Sequence, residues 1–284
     1  MLTILDIIKK TTDFLAGKGV ESARLNAELL IGHALALKRM ALYLQFERVL
    51  SEPELEKIRP LVRRRSQREP LQYILGETEF HGLKLKVDRR ALIPRPETEL
   101  LVERVLATCA ERANVATNVL DLGTGSGAIA LAMAAGMLSA RVTAVDFSED
   151  ALALARENAI ATGLQDRVVF TRSHWFAGVP AEARFDVMVA NPPYLSAEET
   201  AETAPEVRAH EPATALTAAE GGLADLREIV AQAPVYLNAG GLLALETGIT
   251  HHPEVLRLAT AAGFSRMESR QDLTGRDRYV LAWR

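Results

Sequence analysis

Apolar residues in the first part of the chain recur at helical spacing. Leu25, Leu29, Leu30 and Ala34 fall on one helix face, with Ser22 as a candidate cap ahead of them. Ser51 and Glu54 have the spacing of a capping box, and Pro53 is tolerated in a first turn. Leu55, Ile58, Leu61 and Val62 then form a stripe, and Pro60 inside it predicts a kink or break. Residues 1–75 therefore predict a helical domain. Residues 76–93 change period: Leu83, Leu85 and Val87 alternate with Lys84, Lys86 and Asp88, which predicts a strand, and Gly82 suits a hairpin turn. Ile93-Pro-Arg-Pro96 interrupts regular structure, and a helix is predicted from about Glu97. From residue 118 the pattern alternates. Buried strands are predicted at 119–122, 141–146, 168–170, 185–190, 242–246 and 279–283, with helical stretches such as Ala128–Met137 and Ala151–Thr162 between them. This alternation predicts an α/β fold, a mainly parallel sheet with helices on both faces, over residues 94–284.

Composition narrows the picture. The length of 284 residues suits one large domain or one with a small appendage, and 48% hydrophobic with 25% charged residues is ordinary for a globular protein. The single cysteine, Cys109, excludes an internal disulfide framework and a cysteine-cluster metal site. The six histidines have no paired ligand spacing, so no metal is expected. Net charge is −4, and aromatics are 5%, few for a base-stacking surface. The charge divides unevenly: residues 1–75 hold 13 basic and 9 acidic residues, a net of +4, and the remainder nets −8. Residues 122–140 are nineteen without a charge, long enough to imitate a membrane span. Four of them are glycines, which favours a glycine turn and a buried helix. The N-terminus reaches Asp6 before any long apolar run, unlike a signal peptide, and a cytoplasmic location is expected.

Two motifs carry chemistry. Strand, Gly123-Thr-Gly-Ser-Gly127 and helix form a nucleotide-type loop, in which glycines let a ligand approach main-chain amides at a helix N-terminus. Asp146 ends the next strand, where a carboxylate accepts ribose hydroxyls. Gly123-x-Gly125-x-x-Ala128 also fits a dinucleotide fingerprint, so a dehydrogenase competes with a methyltransferase, and the form Asp121 to Gly127 favours S-adenosyl-L-methionine. Asn191-Pro-Pro-Tyr194 follows directly on a strand. A planar amide or amino nitrogen is a poor nucleophile and must be held in line with an electrophilic methyl while acceptors engage its N–H groups. The Asn191 side-chain oxygen and Pro192 carbonyl are such acceptors, Pro192 and Pro193 stiffen the turn, and Tyr194 can stack on a planar group.

Taken together these residues resemble the protein-(glutamine-N5) methyltransferases of the HemK/PrmC type, the release factor glutamine methyltransferases. The resemblance runs through Pro70-Leu-Gln-Tyr73, Gly76-Glu77, Glu79-Phe-His-Gly82, Ile93-Pro-Arg-Pro-Glu-Thr-Glu99, Leu120 to Ile129, Val145-Asp146, Trp175-Phe176, Asn191 to Tyr194, Glu211-Pro212, Ala215-Leu216 and Leu245-Glu246-x-Gly248. It implies a small all-α N-terminal domain over 1–75 that docks substrate, a β-hairpin linker over 76–93, and a Rossmann-like class I catalytic domain over 94–284 with a seven-stranded mixed sheet. It implies that S-adenosyl-L-methionine, with S-adenosyl-L-homocysteine as product, is contacted by Gly123, Thr124, Gly125, Ser126, Gly127, Asp146, Trp175 and Asn191. Trp175 would lie along the adenine, and Arg95, Glu97 and Thr98 would close over the methionine end. Asn191, Pro192, Pro193 and Tyr194 would hold the glutamine amide, walled by Phe80. The glutamine belongs to the Gly-Gly-Gln loop of class-1 peptide chain release factors, so the partner is a protein substrate, with no stable nucleic-acid or membrane binding and a monomeric enzyme. Two positions depart from the family: Ser173-His174 stands where an acid usually precedes Trp175, offering His174 as a neutral acceptor, and His251 stands where glutamine is frequent.

Two other readings use the same residues. An adenine-N6 methyltransferase acting on nucleic acid needs the same acceptors, but also a basic channel, for which only Arg63-Arg-Arg65 with Arg68 is available. A cofactor-binding module without catalysis leaves Asn191 to Tyr194 without purpose.

Overall fold

The computed structural model describes residues 2–110 and 117–284, and the chain divides into two compact units. The first takes Met1–Gly76 together with Ala204–His210, and the second takes Glu77–Thr203 and Glu211–Arg284.

The first unit is built on α1 (Ile4–Ala16), α2 (Ala23–Leu35), α3 (Arg39–Tyr43), α4 (Glu52–Ser66) and α5 (Leu71–Leu75). Ile4, Ile8, Ile31, Leu42, Leu50 and Ile58 form one of its cores. Glu54 reaches back to the Ser51 amide at 2.9 Å, as the capping-box spacing predicts. Two expectations fail. Ser22 makes no side-chain cap, because its backbone is left-handed at φ 48°; Asn26 Nδ2 bonds the Ser22 carbonyl instead, at 3.2 Å. Helix α4 runs through Pro60 without a break. The missing amide removes one helical bond, and apolar packing of Ile58, Leu61 and Val62 on both sides of Pro60 holds the helix together.

The basic cluster of α4 is largely committed internally. The buried Arg65 guanidinium donates to Asn26 Oδ1 at 2.7 Å and to Glu206 Oε1 at 2.8 Å. Arg68 donates to both Glu206 oxygens, each at 2.7 Å, and Arg64 holds Glu69 through two bonds of 2.8 Å. Of the four arginines only Arg63 is exposed. Glu206 arrives from far along the chain, on the short helix 205–210, which packs within this unit.

The second unit opens with the hairpin β1 (Glu77–Phe80) and β2 (Leu83–Lys86), then α6 (Pro96–Cys109). There follow β3 (Thr117–Leu122), α7 (Ala128–Gly136), β4 (Ala140–Asp146), α8 (Glu149–Thr162), β5 (Val168–Arg172), β6 (Phe185–Ala190) and α9 (Ala197–Glu202). After the 205–210 helix, α10, come α11 (Ala219–Gly222), α12 (Ala224–Tyr236), β7 (Leu237–Glu246), α13 (His252–Ala261), β8 (Arg266–Gln271) and β9 (Asp277–Trp283). The sheet order is β5-β4-β3-β6-β7-β9-β8. Strands β5 to β7 of that order run parallel, and β9 and then β8 pair antiparallel, so the sheet is mixed.

Alternation along the central strands separates two cores. Val119, Val142, Val187 and Val189 face α6 and α7, in the cluster that also takes Phe80 and Leu85. Leu120, Leu122, Val145 and Met188 face α12 and α13. Residues 128–134 of α7 are buried on every side, which accounts for the charge-free stretch. No helix among the described residues is long and apolar enough to cross a membrane.

Register places the chemistry. Leu122 pairs with Val145 on one side and Ala190 on the other. The glycine loop, Asp146 and Asn191 therefore leave the sheet at one carboxyl edge. They do so where strand order reverses about β3, the place at which open α/β sheets bind ligands.

Candidate active site

The glycine loop is held from below by Asp121. Its Oδ2 accepts the Thr124 hydroxyl at 2.6 Å and the Ala130 amide at 3.0 Å, joining the turn to the helix after it. The carboxyl is fully buried, and burial pushes it up to about 7. Asn158, also fully buried, donates to the Ser126 carbonyl at 2.9 Å and the Lys86 carbonyl at 3.0 Å, so the loop is braced on the hairpin. Gly123 has φ 74°, and a Cβ there would stand 3.2 Å from the Trp175 ring. Glycine at this point serves both the turn and the indole's close approach.

Trp175 itself has a left-handed backbone, φ 45°. The turn is pinned by Ser173, whose Oγ donates to the Trp175 carbonyl and accepts from the Gly178 amide, both at 2.7 Å. The Trp175 indole N–H donates to Asp225 Oδ1 at 3.0 Å. The strained conformation is thus over-determined by its neighbours, as is usual where a side chain must be aimed. Asp146 Oδ2 accepts the Gly125 amide and Oδ1 the Ser148 amide, both at 2.8 Å. The Phe147 amide also bonds this carboxylate, and of its roughly four acceptor sites the remaining capacity faces a diol.

The second half of the site is a chain of hydrogen bonds. Asn191 Nδ2 donates to Thr98 Oγ1 at 3.0 Å, Thr98 Oγ1 donates to Glu246 Oε2 at 2.8 Å, and the Tyr194 hydroxyl donates to Glu246 Oε1 at 3.2 Å. Glu246 is 1% exposed, and burial raises its pKa; burial likewise raises the Tyr194 phenol. The Arg278 guanidinium lies 5.9 Å from the Tyr194 ring centre.

One cavity of about 420 Å³ lies over this edge, within the range of small-molecule and cofactor sites. Arg95, Thr98, Gly123, Thr124, Gly125, Ser126, Asp146, Trp175, Asn191 and Pro193 line it. Gly127 caps α7 just behind, with φ 85°. Other expected residues lie off the cavity wall. Phe80 is fully buried in the core beside Leu85, Pro192 is buried, and Tyr194 turns its hydroxyl inward to Glu246. The Glu97 carbonyl accepts the Tyr279 hydroxyl at 2.8 Å. His174 is on the wall and largely exposed, 3.7 Å from Glu228.

Several wall residues went unread in the sequence. Asp225, in the first turn of α12, supplies a carboxylate on the same wall as His174, and Phe147 presents an exposed ring directly after Asp146. Arg95 is held by Glu211 Oε1 at 2.6 Å, which brings Pro212, Thr214 and Ala215 to the rim. Phe147 had a local signal, its place after the strand-ending acid, and Pro212 and Ala215 stand in the Glu211-Pro212 and Ala215-Leu216 motif positions; Asp225 and Thr214 had none.

The comparisons fit this geometry. The PrmC N-terminal domain family matches residues 6–76, and the methyltransferase small domain family matches residues 96–223. The release factor glutamine methyltransferase of Geobacter sulfurreducens is 44% identical, over 98% of this chain and 95% of its own. That of Chlorobaculum tepidum is 41% identical, over 97% and 95%. Among solved structures, the hMettl16 catalytic domain in complex with the MAT2A 3'UTR hairpin 1 aligns with TM-score 0.57 at 16% identity, covering 82% of this chain and 80% of that one. A methyltransferase from Pyrococcus furiosus aligns with TM-score 0.52 at 19% identity, covering 71% and 88%. These structures share the fold. Fold and cavity define a class I S-adenosylmethionine-dependent methyltransferase. Within that class, the chain belongs to the release factor glutamine methyltransferase family.

Proposed function

We propose that this enzyme methylates the side-chain N5 of the glutamine in the Gly-Gly-Gln loop of class-1 peptide chain release factors, supporting translation termination. The relatives' shared name supports the substrate. The observation that carries the chemistry is Asn191, on the cavity wall with its amide nitrogen tied to Thr98 and its oxygen left to accept.

Bound S-adenosylmethionine supplies a methyl carbon made electrophilic by the sulfonium. The chain's own residues bind and orient. Asp146 would receive the ribose hydroxyls, Gly123 to Gly127 and Trp175 would form the floor and wall around the nucleoside, and Arg95 and Thr98 would flank the methionine end, with Glu97 beside Thr98 but off the wall. Asn191 Oδ1 and the Pro192 carbonyl accept the glutamine N–H groups, which keeps the nitrogen lone pair aimed at the methyl and stabilises the positive charge that develops on the nitrogen in the transition state, the surplus proton leaving to solvent. Tyr194 and Phe80 support the glutamine pocket from behind. Residues 1–75 dock the release factor, 76–93 link and 94–284 catalyse, apart from the 204–210 stretch that packs with the helical unit, in a cytoplasmic monomer that makes no stable nucleic-acid or membrane complex. The internal pairing of Arg64, Arg65 and Arg68 supports the absence of a nucleic-acid channel.

The test is mass spectrometry of intact release factor and of a Gln→Ala variant of its tripeptide, each incubated with enzyme and cofactor. One added methyl on the glutamine of the first and none on the second is expected; equal labelling of both sinks the assignment. Asp146→Ala is expected to weaken cofactor binding roughly tenfold to a hundredfold, the worth of losing hydrogen bonds to a charged acceptor. Calorimetric titration with S-adenosylhomocysteine checks this.

A further inference from the structure

Glu246 ends β7 almost fully buried, and its two side-chain bonds both lead to the Asn191–Tyr194 turn. Proton bookkeeping gives those bonds a direction. A carboxylate only accepts. Both hydroxyls facing it, Thr98 and Tyr194, must therefore donate to it. The Thr98 oxygen then keeps only lone pairs, and Asn191 can meet it only with Nδ2–H, at 3.0 Å. The Asn191 amide is thereby turned with Oδ1 away from Thr98.

We infer that Glu246 is a positioning residue that sets which way round the Asn191 amide faces, acting through the single proton of the Thr98 hydroxyl. The inference rests on the reading of Asn191 as acceptor for the substrate amide. A neutral Glu246, or glutamine in its place, can donate to Thr98. The Thr98 proton is then free to meet Asn191 Oδ1, and the amide turns over. It would present its NH₂ to a substrate N–H, donor against donor, which is costly in a dry site.

The same logic gives a pH signature. Burial holds the Glu246 carboxyl above the usual glutamate range; Glu97 on α6 raises it further, and the bonds from Thr98 and Tyr194 and the charge of Arg278 on β9 oppose this. Burial, and after it the charge of Glu246, raises the Tyr279 phenol on β9. As pH falls through the Glu246 pKa, the carboxyl gains a proton and kcat falls. Asp121 titrates as well, but it braces the glycine loop and is the same in wild type and variants, so only the part of the limb that the variants lose belongs to Glu246.

The experiment compares wild type with Glu246→Gln, using intact release factor and saturating cofactor. Expected are an acid limb in the wild-type kcat, and a kcat about tenfold lower in the variant, the size of one misdirected hydrogen bond, with that limb gone. Cofactor Kd and Tm should stay at wild-type values, which a purely structural role would not allow. Thr98→Val, which removes the relaying proton, should lose the same limb and serves if Glu246→Gln does not fold. A wild-type kcat and unchanged limb in either variant overturns the inference, as does a wild type with no acid limb. A wild type that leaves the release-factor glutamine unmodified overturns the functional reading instead.

Discussion

Asn191→Ala is expected to lower kcat by about 10²–10³-fold, the usual loss when one preorganised group is removed from the developing charge of a transition state. Cofactor affinity should fall far less, because Gly123 to Gly127, Asp146 and Trp175 remain on the cavity wall or directly behind it. The loss should be at least as large in single-turnover rate as in steady state, since the missing acceptor acts on the chemical step. Alanine also leaves Thr98 Oγ1 without its donor, so Thr98 and Glu246 should stay paired while the substrate nitrogen loses alignment. Weakened cofactor binding with normal turnover at saturation would contradict the acceptor role.

Gly222→Ala should be the most damaging small substitution near the site. Gly222 has φ 90°, and a Cβ there would lie 2.1 Å from the Tyr194 carbonyl oxygen and 2.7 Å from His251 Cε1. Neither neighbour can yield easily. The carbonyl is main chain, and the buried His251 ring is fixed by a 3.0 Å bond between Nε2 and the Gly221 carbonyl. Left-handed strain and overpacking together should cost roughly 3 kcal/mol. That corresponds to a fall in Tm of roughly 5–10 °C for a domain of this size. Whatever relaxation occurs must push on Tyr194, so kcat should drop in the surviving folded enzyme. Scanning calorimetry and turnover on the same sample check both; an unchanged Tm would show that the turn has room.

The parts of the site that a reader finds in the sequence are those written locally. A strand, three alternating glycines and a helix lie within a few residues, and so does the Asn191-Pro-Pro-Tyr194 turn after its strand. The six strands read from apolar runs are all present, because buried strands need continuous hydrophobicity. Strand β8 went unread because Arg266-Met-Glu-Ser-Arg-Gln271 is an edge with a single apolar residue, Met267, and its place is set by pairing to β9 and by the bond between Ser269 and His252. Thr98 and Glu246 could be noticed as motif members, but their bond joins residues 148 positions apart. Asp225 behind the Trp175 indole is equally remote in sequence. Phe80 shows the converse: a motif position marks it, whereas packing decides that it sits within the core beside Leu85 and Leu101.

The short helix 205–210 bears on modularity. The first unit is made from two stretches of chain, and Glu206 of the second stretch is gripped by Arg65 and Arg68 of the first. Gly76 is therefore no clean cutting point. A chain begun at residue 77 would carry a carboxylate stripped of both guanidiniums, between the Asn191–Tyr194 turn and Glu211. The helical unit cannot be exchanged as a cassette between relatives unless residues 204–210 travel with it.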